Sequence, residues 1–178
     1  MRCRNGRDRF ALNSWVMPVS SQLKFVAVRQ DDPLAEPLLA ELTVEYSRRY
    51  GPPEETVSTW LRGHPADEFA PPHGDLVVGL LGERTVTGGA FCRFDDTTAE
   101  LKRIWTDSRH RQQGLAKALL AELEARIVAR GYRRVYLTTG DRQPEAEALY
   151  ESAGYERLAD PLPAEGDVFP VAFVKVLR

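Results

Sequence analysis

The sequence predicts an α/β fold, one mixed sheet flanked by helices, from three observations. Patterned segments run in the order strand, two helices, three strands, helix, strand, helix, two strands, an order that layers helices against a sheet. The hydrophobic period switches between two residues, as in a strand, and about 3.6, as in a helix. Glycines close the helical patterns at Gly51, Gly131 and Gly154, where a chain commonly leaves a helix.

Residues 1–22 lack periodicity and read as a flexible N-terminal extension, with Met17 as a second candidate start; the folded domain is read as 23–178. "KFVAVR" (24–29) is a short strand. "DDPLAEPLLAELTVEYSRRYG" offers an aspartate N-cap and the helical stripe Leu34, Leu38, Leu39, Leu42, Tyr46, stopped by Gly51-Pro52-Pro53. "EETVSTWLRG" is a second, short helix and "HPADEFAPPHG" a loop. "DLVVGLLG" (75–82) and "TVTGGAFCRF" (85–94) are strands joined by a tight turn around Glu83 and Arg84. In the strand "AELKRIWT" (99–106), alternation sets Leu101, Arg103 and Trp105 on one face. Glu100, Lys102, Ile104 and Thr106 fall on the other. Gln113 to Arg130 is the strongest helix, because Leu115, Leu119, Leu123 and Ile127 recur every fourth residue. "RRVYLTT" is a buried strand, "PEAEALYESAG" a helix with Pro144 at its first position, and "YERL" and "FPVAFVKVL" are the last two strands.

Composition narrows the function. The chain has 178 residues, 43% hydrophobic and 28% charged, enough for one domain with a real core. No apolar run approaches the roughly 20 residues of a membrane-spanning helix, and no cleavable leader follows the basic N-terminus. Cys3 and Cys92 form no CxxC. A cytoplasmic, reducing setting is expected, with no membrane partner. The net charge of −2 and the lack of interleaved basic and aromatic residues speak against a nucleic-acid partner. Charge is unevenly spread: Lys102 to Arg134 carries net +6, and Asp31 to Glu68 net −6.

The basic segment contains "RHRQQGLAKALL" (109–120). A helix start leaves backbone N–H groups unpaired and partly positive, which favours an anion. Gly114 lets a bulky group approach the backbone, Ala116 keeps that surface small, and Arg111 adds charge-assisted bonds. Gln112 and Gln113 donate without adding charge. The stretch is suited to a diphosphate, yet it lacks the Lys-Ser/Thr ending of a Walker loop and the three glycines of a Rossmann turn.

Two motifs at their expected separation resemble the GNAT N-acetyltransferase superfamily. Arg111-Gln112-Gln113-Gly114-Leu115-Ala116 matches its [QR]-x-x-G-x-[GA] pyrophosphate loop, and Gln143-x-x-Ala146-x-x-Leu149-Tyr150 with Ala153-Gly154-Tyr155 is similar to its N-x-x-A-x-x-L-Y motif. Gln143 departs from the commoner Asn. The resemblance implies the GNAT fold, a mostly antiparallel sheet of about six to seven strands with about four helices. It implies acetyl-CoA as acyl-donor cosubstrate, held by Ile104, Trp105, Thr106, residues 111 to 116, Lys117, Gln143, Ala146 and Tyr150. It implies no metal. A backbone N–H of Trp105 or Ile104 would polarise the thioester carbonyl. Glu100 would serve as general base and Tyr150 as the acid that protonates the departing thiolate.

The expected activity is acetyl transfer to a primary amine of a small molecule or peptide, by direct attack in a ternary complex. The alternative is a catalytically silent acyl-CoA sensor, which would need neither Glu100 nor Tyr150. Acids in 31–68 favour a cationic acceptor, and Trp60 and Phe69 are candidates to line its pocket. Cys92 is read as core, His110 as a loop residue beside the phosphates, and Arg142 as a phosphate contact or turn cap. His64, His73 and His110 lack metal-ligand spacing. A monomer and a homodimer both remain open.

Overall fold

The computed structural model describes residues 22–65, 67–163 and 168–178. The extension read from 1–22 lies outside the described residues except for Gln22, and Cys3 lies outside them too. The described residues form β1 (Lys24–Val28), α1 (Glu36–Tyr50), α2 (Glu54–Gly63), β2 (Asp75–Leu81), β3 (Arg84–Arg93) and β4 (Thr98–Thr106). Then come α3 (Leu115–Ala129), β5 (Arg134–Thr139), α4 (Pro144–Ser152), β6 (Glu156–Arg157) and β7 (Val171–Val176). One sheet runs β1-β2-β3-β4-β5-β7-β6. Its neighbours are antiparallel except β4 and β5, which are parallel. This is the mixed, mostly antiparallel sheet with four helices that the sequence predicts. No helix among the described residues is long and apolar enough to cross a membrane.

Helices cover both faces. On one, α1 and α2 pack Leu38, Leu39, Leu42 and Leu61 against Leu76 and Trp105. On the other, α3 and α4 pack Leu119, Leu123, Ile127 and Tyr150 against Phe91, Leu137 and Phe173. The predicted α3 stripe is fully enclosed: Leu115, Leu119, Leu123 and Ile127 are at most 1% exposed. Burying one such side chain contributes about 1.5–3 kcal/mol, so packing rather than helix propensity holds α3. Its C-terminal end is fastened to β2 by buried Asp75, which accepts from Arg130 at 2.8 Å.

Three boundaries differ from the sequence reading. Leu81 pairs with Arg84, so the hairpin turn is Gly82-Glu83 rather than Glu83-Arg84. Helix α3 starts at Leu115 because Gly114, at φ 79°, stands outside the helix. "YERL" contributes only two residues to the sheet.

The larger correction concerns β4. Trp105 faces Gly88 and Lys102 faces Ala90, so Arg103 and Ile104 together oppose the single Gly89. This β-bulge holds Arg103 at φ 59° and reverses the alternation beyond it. Arg103 and Trp105 therefore share the α1/α2 face with Glu100, whose cross-strand neighbour Cys92 lies in that core. Ile104 joins Leu101 on the α3 face. Gly89 makes room for this, since a Cβ there would lie 2.6 Å from Ile104 Cδ1.

Candidate active site

Strands β4 and β5 pair only through Thr98, Ala99 and Glu100, with Arg134, Val135 and Tyr136 opposite. Beyond Glu100, β4 stays bonded to β3 and β5 to β7, so their facing backbone edges lose each other. A strand edge presents unpaired N–H and C=O groups that an extended ligand can satisfy. A cleft of about 1570 Å³ opens there, reaching from Glu100 past Ile104, Trp105 and Thr106 to the start of α3.

The turn into α3 is set by Asp107. Its carboxylate accepts from the Arg109 backbone at 2.8 Å and from the Arg109 guanidinium at 3.1 and 2.9 Å. Those bonds hold its carboxyl down at about 2. Gln112, at φ 60°, and Gly114, at φ 79°, both take the left-handed region. Ala118 N–H is bonded to Gly114 O at 3.0 Å, so the preceding N–H groups at the helix start have no acceptor within it. A Cβ on Gly114 would meet nothing within 4 Å. The space above these N–H groups is open. Arg111 lines it while bonded to Glu45 of α1 at 2.9 Å.

Across the cleft, Ala146 and Tyr150 project from one side of α4, below Gln143 at its cap. Tyr150 is buried, its ring 5.6 Å from Phe173 and 5.7 Å from Tyr155. Burial raises its phenol well above the ordinary value. The end of α1 crosses to this bank. Gln143 donates to the Tyr50 hydroxyl at 3.3 Å, Arg49 pairs with Glu145, and Arg142 donates to Arg49 O at 2.8 Å. Glu45 thus accepts from Arg111 and, at 3.1 Å, from Arg49.

The other end lies under α1 and α2. Buried Glu100 is paired with Lys102 at 2.8 Å. Cys92 lies beside it, its thiol pushed up to about 12 by burial and then by the Glu100 and Glu68 charges. A thiol held protonated is no nucleophile. The Tyr46 phenol is likewise raised to about 12, by burial first. Tyr46, Trp60 and Phe69 line this compartment, and His64 Nδ1 meets Glu68 at 2.9 Å.

A family model described as "Acetyltransferase (GNAT) family" matches residues 37–155. The chain belongs to this family. The chain is 38% identical over 88 residues to N-acetyltransferase 8 of Homo sapiens, a match covering 47% of this chain and 35% of that protein. The chain spans about a third of the length of the curated relatives it matches. Among solved structures, an acetyltransferase from Thermus thermophilus superposes with TM-score 0.66 at 22% identity, covering 88% of this chain and 97% of that one. A GNAT family acetyltransferase from Elizabethkingia anophelis with acetyl-CoA bound gives 0.61 at 15%, covering 88% and 99%. Both likenesses concern the fold.

The GNAT chain brings nearly every residue singled out from its sequence to one cleft. Glu100, Ile104, Trp105, Thr106, Arg111, Gln112, Gly114, Leu115, Ala116, Lys117, Gln143, Ala146 and Tyr150 all line it; Gln113 does not. Trp60, Phe69 and His110 line it too, whereas Arg142 bonds to the α1 end instead. Among the described residues no group of His, Cys, Asp and Glu could hold a metal ion. Two expectations are corrected. The bulge removes Glu100 from the face of Ile104 and Thr106. Of the acids in 31–68, only Glu45 and Glu68 reach the cleft, each bonded to a basic side chain. Asp32 caps a turn, Glu36 pairs with Arg62, and Glu41 accepts from Trp105 Nε1. The acidic run as a whole therefore does not border the cleft; Glu45 and Glu68 are its contribution. Glu45, Arg49, Tyr50 and Arg103 carry no local sequence signal for the site, because α1 and the bulge reach it only through tertiary packing.

Proposed function

We propose that this chain is an acetyl-CoA-dependent N-acetyltransferase that acylates a primary amine by direct attack in a ternary complex. One observation carries the reading: the unpaired β4 edge joins an open, N–H-rich helix start to Glu100 and Tyr150 within a single cleft. The residue types fit an acyl-CoA. Gly114 leaves its space open for a diphosphate, and Arg111 and Lys117 stand beside it. Gln143 and Ala146 border the opposite bank, and backbone groups of Ile104, Trp105 and Thr106 meet the extended arm.

The amine must lose a proton as it bonds to the thioester carbonyl carbon. Glu100 takes that proton, directly or through water, when its contact with Lys102 is shared or released. The C–S bond then breaks, and the thiolate takes a proton from the Tyr150 hydroxyl. A backbone N–H of Trp105 or Ile104 stabilises the oxyanion that forms between these steps. Cys92 takes no part, because its thiol stays protonated. A sensor that only binds acyl-CoA would keep the phosphate corner and gain nothing from a buried carboxylate and a buried phenol facing the same cleft.

Titration calorimetry with acetyl-CoA, followed by a thiol-release assay over a panel of primary amines, tests this. Saturable acetyl-CoA binding and amine-dependent thiol release are expected. Binding without release for any amine class would leave only the sensor.

A further inference from the structure

The acceptor end of the cleft contains a cation that the mechanism above does not use. Arg103 stands at the β4 bulge, is 8% exposed and lines the cleft. Its guanidinium donates to Gln30 Oε1 and to the Leu61 carbonyl, both neutral acceptors, and lies 4.5 Å over the Phe69 ring. Among the described residues no carboxylate comes within ion-pair distance of it. The two acids of its compartment are engaged elsewhere, Glu68 with His64 and Glu100 with Lys102. Burial pushes the guanidinium down to about 10, and Glu68 is the largest charge acting the other way.

A buried cation without a counter-ion is costly, and an anion that arrives with its own lone pairs relieves that cost. Arginine is the side chain best matched to a carboxylate, because its planar fork can donate two parallel bonds. Here the fork is already oriented: two N–H groups are held by Gln30 and Leu61, and the plane rests on Phe69. Little further ordering is needed to bind.

We infer that Arg103 anchors a carboxylate of the acceptor, so that the amine acetylated by this chain is an amino acid or a compound with the same amine–carboxylate pair. The inference rests on the acetyltransferase reading above. The compartment complements both ends of such a molecule. Arg103 meets the anion, Glu100 and Glu68 flank the amino group, and Trp60, Phe69 and Tyr46 leave an apolar wall for a side chain.

The test uses the full chain and matched acceptors: L-leucine, L-leucinamide and the decarboxylated amine. In thiol release, wild-type kcat/KM for L-leucine should exceed that for either neutral partner by about tenfold or more, the size of one charge-assisted bond. Arg103→Gln should collapse that ratio, and Arg103→Lys should restore part of it. The ratio is the readout because Arg103 also ties β4 to α2, and a looser fold would slow all three acceptors alike. A second measurement needs no variant: with CoA present, N-acetyl-L-leucine should raise the wild-type Tm more than N-acetyl-L-leucinamide. If wild-type enzyme turns over the neutral amines as well as the acid, the anchor is refuted and acetyl transfer stands. If no amine is acetylated but the acid still raises the Tm above the amide, the acceptor reading falls with acetyl transfer, and Arg103 is left as a carboxylate-binding site alone. If neither response appears, both fall.

Discussion

Gly114→Ala separates the folding role of the turn into α3 from the diphosphate-binding role proposed for it. Gly114 sits at φ 79° with open space where a Cβ would go. An L-residue held there costs roughly 1–2 kcal/mol of stability, a fall in Tm of roughly 2–8 °C for a chain of this size. Gly131 provides the control. It has φ 94°, equally open surroundings, and stands at the far end of α3, away from the cleft. Gly131→Ala should cost the same stability. Only Gly114→Ala places a methyl where a diphosphate would meet the helix-start N–H groups. Losing one charge-assisted bond of about 1.5–3 kcal/mol weakens acetyl-CoA binding by roughly tenfold to a hundredfold. Calorimetric Kd values and melting curves for the two variants decide it. Equal loss of stability with unequal loss of affinity is expected. Wild-type acetyl-CoA affinity in Gly114→Ala would refute the placement of the pyrophosphate.

Glu100→Gln should lower kcat/KM by about 10²–10⁴-fold, while calorimetry shows acetyl-CoA binding kept. Tyr150→Phe should reduce kcat by about 10²-fold with little change in acetyl-CoA Kd; an unchanged kcat in steady-state assays would remove Tyr150 from proton transfer. Asp107 is held near 2 in the fold against an ordinary 3.8, so its stabilisation is present above about pH 4 and is lost as pH falls through 2. Asp107→Asn should therefore cost on the order of 1–2 kcal/mol at neutral pH and little at pH 2, read by urea denaturation at both. Leu123→Ala, at a fully buried position of α3, should cost about 2–5 kcal/mol in the same denaturation assay.

The turn into α3, proposed above to hold the diphosphate, was legible as a turn because its information is local. A glycine, two amides and an arginine lie within four residues of one another, just before the stripe that marks the helix. The α3 stripe was legible for the same reason: four leucine or isoleucine side chains every fourth residue over thirteen residues fit one helix face and outrun an ordinary strand. The bulge was not legible. Its extra residue is defined against β3, where Gly89 gives way to Ile104, and alternation read along β4 alone must place Arg103 and Trp105 opposite Glu100. The acidic run misled because composition does not say where side chains turn. Glu36 and Glu41 are bonded to Arg62 and Trp105, neighbours that only the folded chain supplies. The crossing of α1 to α4 joins residues more than ninety apart, such as Arg49 and Glu145, beyond the reach of any window of sequence.

Glu45 is shared by two guanidiniums that belong to opposite shores of the cleft. The next residue of its helix, Tyr46, lines the compartment under α1 and α2, so one carboxylate borders both ends of the cleft. With Arg49 half-turned to α4 and Arg111 to the entry of α3, three separate stretches of chain meet on it, and added salt is the simplest way to loosen them.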